Sequence, residues 1–457
     1  MIVLIELLIV LVVLCVGIRY GSLALGAMSG IGLFILVFGF HMKPGVPPTD
    51  VIYIIMAAVT CAGMLQAAGG MDWMMQLAEK LLRKHPDSIT FFAPLCTFFL
   101  TVLVGTGHAV YTLMPIICDI ALKKGIRPER PCGVASIASQ VGITCSPIAA
   151  AVVSFVIISN ENGFHVTNLQ VAGINMIACL CGLMAASLAS YRRGKDLDKD
   201  PFFQARCQNP ETYEYMYDGK ATLLDMEISK EARLSVYIFL GALAYIIIFS
   251  VCQVCGCDIR PSFPTGDIDA AGNPILKPLA MNLIIQIVMI TAAAFMILCA
   301  KAQPKRAVSG SVWQSGMVAV IAIYGIAWMA DTFFANYTVE LKAILGGFVK
   351  SYPWTIALGF FVVSIFINSQ GATVVSMLPL AYKLGIPGPI LVGLLPSVYG
   401  YFVLPSYPSD IATVNFDRSG TTTIGKYLLN HSFMMPGLIS VTVSCIVGYL
   451  LVILLYY

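Results

Sequence analysis

Gly107-His108-Ala109-Val110-Tyr111-Thr112-Leu113-Met114-Pro115-Ile116 lines up without a gap against Gly371-Ala372-Thr373-Val374-Val375-Ser376-Met377-Leu378-Pro379-Leu380. A few residues on, Gly125-Ile126 matches Gly385-Ile386. Each segment is moderately apolar and starts at a Gly-rich turn that follows an apolar run. Each therefore reads as the returning arm of a helical hairpin. Two such hairpins more than two hundred and fifty residues apart imply that the chain carries the same unit twice.

The surroundings are apolar almost throughout. The 457 residues are 58% hydrophobic and 11% charged, whereas a soluble domain is about one-quarter charged; mean hydropathy is +0.85. Runs of about 20 apolar residues cross the hydrocarbon core of a bilayer, and such runs recur. They lie at 2–17, 22–40, 50–69, 89–104, 131–158 and 167–190, then at 234–256, 279–300, 311–331, 354–369, 388–415 and 432–456. No stretch is long enough for a separate soluble domain. Residues 2–17 follow no basic leader, carry Glu6 and lead straight into another span, so they read as an anchor rather than a cleaved signal.

Lys and Arg collect in cytoplasmic connections. With the N-terminus outside, those connections hold Arg19, Lys80, Arg83, Lys84, Lys123, Lys124, Arg127, Arg130, the basic residues from Arg192 to Arg233, Lys301, Lys305, Arg306, Arg418 and Lys426, most of the 27 in the chain. Both termini are expected outside and the 191–233 loop in the cytoplasm. The first set of spans then starts outside and the second inside. Both run three spans, a short amphipathic segment (72–84 and 338–350), a span with a returning arm, then two spans. The expected fold is an all-α polytopic membrane protein of two inverted-topology repeats. Residues 1–190 form the first, 191–233 a cytoplasmic linker and 234–457 the second. Many secondary transporters share this design, with the substrate at the repeat interface near the midplane.

Each half breaks its helices at membrane depth twice. The hairpin turns are Gly105-Thr106-Gly107-His108 and Asn368-Ser369-Gln370-Gly371-Ala372-Thr373. Breaks within the following span run from Ser139-Gln140 through Thr144-Cys145-Ser146-Pro147, and from Tyr399-Gly400 through Pro405-Ser406-Tyr407-Pro408-Ser409-Asp410. Unwound backbone at that depth lines a cavity or is buried in protein. Its helix N-termini carry unpaired N–H groups and a positive dipole end. Four of them, with the hydroxyls beside them, can bind two carboxylates without a buried arginine. The candidate substrate-binding residues are Gly105, Thr106, Gly107, His108, Ser139, Gln140, Thr144, Ser146, Asn368, Ser369, Gln370, Thr373, Ser406 and Tyr407. Packing kinks are the bland alternative for any single break.

Ionisable residues near spans are functional candidates because burying them is costly. His108 can donate to a carboxylate or carry a proton, and Asp410 can couple or organise the site. Asp331 can gate, whereas Glu6 and Asp119 read as structural. Cys252, Cys255 and Cys257 close a span with no second ligand cluster, so no metal is expected. The modest net charge of +3, without a basic stripe, argues against nucleic acid. HExxH, P-loop and dinucleotide patterns are absent, so no enzyme or cofactor is expected, and gradients or exchange must drive transport.

At these motifs the chain resembles the Dcu family of anaerobic C4-dicarboxylate transporters, in its DcuA/DcuB branch and nearer the DcuB members. The resemblance rests on GTGHAVYTLMPII (105–117), IRPERP (126–131), RGKDLDKD (193–200), YGIAWMAD (324–331), FINSQGA (366–372) and YGYFVLPSYPSDIATVNFDRSGTTTIGKYLLNHSF (399–433). It implies a bacterial inner-membrane antiporter that takes up fumarate, malate or aspartate and exports succinate. Ser406 stands where the family pattern leads one to expect Thr, which keeps the hydroxyl. A cation-coupled symporter for dicarboxylates or acidic amino acids is the alternative within transport. A membrane sensor kinase bound at the 191–233 loop, and a homo-oligomer, are the open partner classes.

Overall fold

The computed structural model describes all residues except 1, 21, 218–221, 256, 269–273, 338–339, 341–350, 405–406 and 425–429. Ser406, Lys426 and nearly all of the second amphipathic segment thus lie outside the described residues.

The first half runs α1 (Ile2–Tyr20), α2 (Ser22–Phe34), α3 (Thr49–Ala67), α4 (Gly70–Lys84), α5 (Ile89–Val104), α6 (Val110–Lys123), α7 (Glu129–Val141), α8 (Ala150–Glu161) and α9 (Asn168–Ser190). Short helices α10 (Pro201–Cys207) and α11 (Pro210–Tyr217) occupy the linker. The second half runs α12 (Lys230–Val254), α13 (Met281–Ala300), α14 (Pro304–Ser309), α15 (Ser311–Asn336), α16 (Ile356–Ile367), α17 (Gln370–Lys383), α18 (Gly388–Gly393), α19 (Pro408–Phe416) and α20 (Met434–Tyr456). Eight stretches among the described residues are long and apolar enough to cross a membrane. The protein is mostly helical, but not wholly so. The Pro- and Gly-containing connection after α12 forms an antiparallel hairpin, β1 (Ser262–Ile268) with β2 (Pro274–Pro278). The paired strands satisfy much of that connection's own backbone.

α2 packs along α15 and α13 along α3, while α1 lies on α2, α12 on α13, and α3 meets α15. Glycines permit the closest of these crossings. A Cβ on Gly325 would sit 2.0 Å from the Gly26 carbonyl, and one on Gly316 2.3 Å from Val59. The second bundle joins α9 to α20, α5 to α7, α8 to α17 and α6 to α19. Outward residues of the long helices, such as Leu8, Leu11, Ile248, Ile287, Leu298 and Leu454, are exposed and apolar. That surface suits lipid, while the backbone polar groups are satisfied within each helix.

The linker straps one face of the molecule. Asp200 pairs with Arg127, and Asp196 lies 2.8 Å from Arg130. Burial opposes ionisation of Asp200, yet the Arg127 guanidinium and the Phe203 and Phe202 amides hold its carboxyl below the ordinary range. On the other side, buried Glu79 of α4 accepts from the Thr222 hydroxyl at 2.7 Å and the Leu223 amide at 2.6 Å. Gln76 donates to the Leu223 carbonyl at 3.0 Å. The strap therefore ties α4 to the start of α7.

Candidate functional site

Each hairpin turns on one left-handed residue. α5 ends at Gly105, with φ +80°, whose amide donates to the Thr101 carbonyl at 2.7 Å. Thr106 is extended, Gly107–Ala109 make a 3-10 turn, and α6 follows. α16 ends at Asn368, with φ +53°; Ser369 is extended and α17 starts at Gln370. Glycine takes this conformation freely and asparagine is among the few side chains that tolerate it.

The later breaks pack on the first arms of these hairpins. After α7 comes a 3-10 turn, Gly142–Cys145, then extended backbone at Ser146 and Ala149 before α8. α18 stops at Gly393, a 3-10 turn covers Leu395–Val398, and α19 starts at Pro408 behind extended Tyr407. A Cβ on Gly142 would meet the Phe98 carbonyl of α5 at 2.8 Å, and one on Gly400 the Phe361 carbonyl of α16 at 2.5 Å. Phe98 and Phe361 each precede their left-handed residue by the same distance along the chain.

Between the turns lies a cavity of about 490 Å³. Its wall includes Gly105, Thr106, Gly107, His108, Asn368, Ser369, Gln370, Gly371, Tyr401 and Tyr407, and α3 and α15 close the other side. The opening residues of α8 (Ala150, Ala151), α17 (Gln370, Gly371) and α19 (Pro408) all reach it, as does the 3-10 turn before α6. Among the described residues no Lys, Arg, Asp or Glu lines it, and His108, stacked on Tyr111 at 5.8 Å, is its basic group. Four buried polar atoms at the turns and the first break have no partner among the described residues: Thr106 Oγ1, Ser146 Oγ, Asn368 Oδ1 and Gln370 Oε1. A buried polar group left unpaired costs about 1–3 kcal/mol, so such a group needs an explanation, and a polar ligand supplies one.

Behind the wall runs a polar network. The Gln370 Nε2 donates to the Gln140 carbonyl at 2.8 Å and lies 3.3 Å from the Tyr401 hydroxyl. Tyr401 donates to Gln140 Oε1 at 2.9 Å, and Gln140 Nε2 to Ser139 Oγ at 3.2 Å. Ser139 donates to the Ser136 carbonyl, and the Ser136 hydroxyl to Asp410, each at 2.7 Å. Asp410 is buried in the first turn of α19 and does not line the cavity. Ser139 and Gln140 still lie within α7, and they too reach the cavity only through this network.

The remaining described candidates, Ser146 included, do not line the wall. Thr144 donates to the Val141 carbonyl at 3.0 Å and faces Cys179, while Thr373 donates to the Ser369 carbonyl at 2.8 Å. Both hydroxyls are spent locally. Asp331 accepts from the Val46 amide at 3.0 Å and lies 3.7 Å from Lys383, fastening the 40–48 loop and facing the end of α17. Glu6 pairs with Tyr337 and Asp119 with Lys123. Cys252, Cys255 and Cys257 are free thiols, and no metal-binding cluster occurs among the described residues. Tyr111, Tyr401 and Ser136 are site residues beyond the sequence candidates. The run Tyr399-Gly400-Tyr401 was the available signal for Tyr401, whereas nothing local marks Ser136.

Apolar long helices, interrupted at paired turns around a cavity with polar side chains at those turns, define a multi-span membrane transporter. The chain belongs to the DcuA/DcuB family, since the family model described as an anaerobic C4-dicarboxylate membrane transporter matches residues 2–456. It is 45% identical over 449 residues to the anaerobic C4-dicarboxylate transporter DcuB of Escherichia coli O6:H1, covering 98% of this chain and 97% of that one. The C4-dicarboxylate transporter DcuA of Wolinella succinogenes is 34% identical, with 97% and 98% covered. Two solved structures share the fold at low identity. Neisseria gonorrhoeae MtrF, described within a class of antimetabolite efflux pumps, matches with a TM-score of 0.52 at 14% identity, over 92% of this chain and 84% of its own. The Alcanivorax borkumensis YdaH transporter, described as having an unusual topology, gives 0.54 at 12%, over 88% and 84%.

Proposed function

We propose that this protein is a secondary transporter in the bacterial inner membrane that exchanges C4-dicarboxylates, taking in fumarate, malate or aspartate and releasing succinate. One observation carries the reading. The beginnings of three helices and one 3-10 turn meet around a cavity lined, among the described residues, by no Lys or Arg. Helix N-termini bind carboxylates through free N–H groups and the dipole. A dianion held this way is neutralised only in part, so it can leave again. The Thr106 hydroxyl on the cavity wall has no partner among the described residues.

The mechanism is alternating access between two inverted-topology repeats, 1–190 and 234–457, joined by a cytoplasmic 191–233 linker, with both termini periplasmic. The packing supports the repeats because its partners interchange. α2 on α15 answers α13 on α3, α1 on α2 answers α12 on α13, and α8 on α17 answers α6 on α19. The clustering of Lys and Arg supports the orientation. The hairpin bundle moves against α3 and α15, and Asp331 facing Lys383 forms an outer gate between them. Asp410, reached through Ser136, senses whether the site is filled. A sensor-kinase partner would use the linker, where Phe202, Tyr213 and Tyr215 are exposed.

Uptake of labelled succinate into proteoliposomes tests the reading. Rapid uptake only with internal fumarate supports exchange. Uptake driven by an imposed sodium or proton gradient alone replaces exchange with symport, and no uptake under any condition removes the substrate class.

A further inference from the structure

We propose that Gln370 ranks the substrates of this cavity by offering a fixed hydrogen-bond acceptor, so that C4-dicarboxylates with a donor on C2, the ammonium of aspartate or the hydroxyl of malate, bind more tightly than succinate or fumarate. The inference rests on the dicarboxylate reading above.

The two ends of an amide have nearly the same shape, and neighbours decide which is which. Gln370 has neighbours that decide. Its Nε2 stands 2.8 Å from the Gln140 backbone carbonyl, which can only accept. The same nitrogen lies 3.3 Å from the Tyr401 hydroxyl, whose proton goes to Gln140 Oε1 at 2.9 Å. Turning the Gln370 amide over would set two carbonyl oxygens against each other. Gln140 is fixed in the same manner, because its Nε2 donates to Ser139 Oγ and the Ser139 proton goes to the Ser136 carbonyl. The donors named in this network are directed into the wall.

What is left over is an acceptor. Gln370 is 2% exposed and belongs to the cavity wall, yet Oε1 has no partner among the described residues. The opposite turn differs in kind, since its unpaired atom on the wall is the Thr106 hydroxyl, whereas the second turn also leaves Asn368 Oδ1 unpaired. Hydroxyls can donate to a carboxylate. A carbonyl oxygen cannot, and it repels one. The two turns therefore differ in their side chains: the first presents the Thr106 hydroxyl, whereas the second, beside the N–H groups that open α17, presents an oxygen that asks for a proton. Succinate and fumarate as dianions bring carboxylate oxygens and no donor. Aspartate and malate bring one donor each, on the carbon next to a carboxylate. A site built around a buried polar atom discriminates against a ligand that leaves it unpaired, because the desolvation of that atom is then not recovered.

The test is competition. Proteoliposomes loaded with succinate take up labelled succinate while unlabelled aspartate, malate, succinate or fumarate competes, in wild type, Gln370→Leu and Gln370→Glu. In wild type, aspartate and malate are expected to compete about tenfold better than succinate and fumarate. Gln370→Leu is expected to erase that ratio. Gln370→Glu keeps an acceptor and adds charge, so aspartate should gain over malate. Equal competition by all four in wild type overturns the inference, as does a loss in Gln370→Leu shared equally by all four. If Gln370→Leu fails to fold, the glutamate variant decides, and an aspartate-to-malate ratio unchanged from wild type refutes the assignment. Wild-type protein that exchanges no dicarboxylate at all would instead sink the reading of the site.

Discussion

The two hairpin turns share a backbone recipe and differ in what they leave unpaired. Both place a left-handed residue, then an extended one, before the returning arm, but the first uses Gly105 and Thr106 and the second Asn368 and Ser369. Ser369 caps its own helix, accepting from the Ala372 amide at 3.3 Å. Thr106 makes no such cap, and its hydroxyl has no partner among the described residues. A cap satisfies N–H groups that an anion would otherwise use. The first turn is thus the better carboxylate site, and the second is better supported by its own side chains.

The sharpest way to break this comparison is at the glycines that the sequence aligns, Gly107 and Gly371. A Cβ on Gly107 would lie 2.4 Å from Gln140 Nε2 and 2.8 Å from the Ser139 carbonyl, and the latter is backbone and cannot swing away. On Gly371 the nearest atoms are the Ala150 Cβ and Ile323 Cδ1, both at 3.2 Å. Gly107→Ala should therefore displace the first turn and lower exchange about a hundredfold, because roughly 1 Å of misplacement is enough for that. Gly371→Ala should stay within a few-fold of wild type. Similar losses in the exchange assay would mean that the turns contribute equally.

His108 is the next difference, since the aligned position holds Ala372. His108→Ala makes the first turn resemble the second, and about a tenfold loss of exchange is expected if its ring donates to substrate. Asp410→Asn should also impair exchange, because Ser136 then faces an amide instead of a carboxylate. Asp119→Asn is the control. It pairs with Lys123 and faces Arg83 at 3.9 Å, away from the cavity wall. Equal activity of the three variants at matched expression would take His108 and Asp410 out of the site.

The hairpins and breaks were legible because Gly, Asn and Pro interrupt apolar runs for reasons that are local. Their register was not. The ungapped pairing sets Gly105 against Ser369, whereas the structure gives the left-handed role of Gly105 to Asn368, with a 3-10 turn inserted only in the first half. Either Gly or Asn can fill that role, so the pattern alone could not choose. The network from Gln370 through Tyr401 to Ser136 was illegible for a different reason. It joins residues more than two hundred positions apart, and no local period reports which of several buried hydroxyls will meet. Asp331 carried a sound signal, an acid near a span end, but only the fold shows that it holds the 40–48 loop and faces Lys383.

The smallest expected effects separate binding from support. Thr106→Val removes an oxygen that bonds to nothing among the described residues, so the midpoint of thermal unfolding should hold while the half-saturating dicarboxylate concentration rises several-fold. Ser369→Ala should do the reverse, losing a helix cap at about 1 kcal/mol while affinity moves little. The last contrast is between the left-handed residues themselves. Asn368→Gly removes a side chain from a conformation that glycine adopts without strain, so the unfolding midpoint should stay level or rise slightly. Gly105→Asn adds one where a Cβ would already touch Ile148 Cγ1 at 3.1 Å, and the midpoint should fall. If Gly105→Asn were as stable as wild type, the first turn would have room that this packing denies it. The difference in capping, rather than in the left-handed residue, would then account for the unlike behaviour of the two turns.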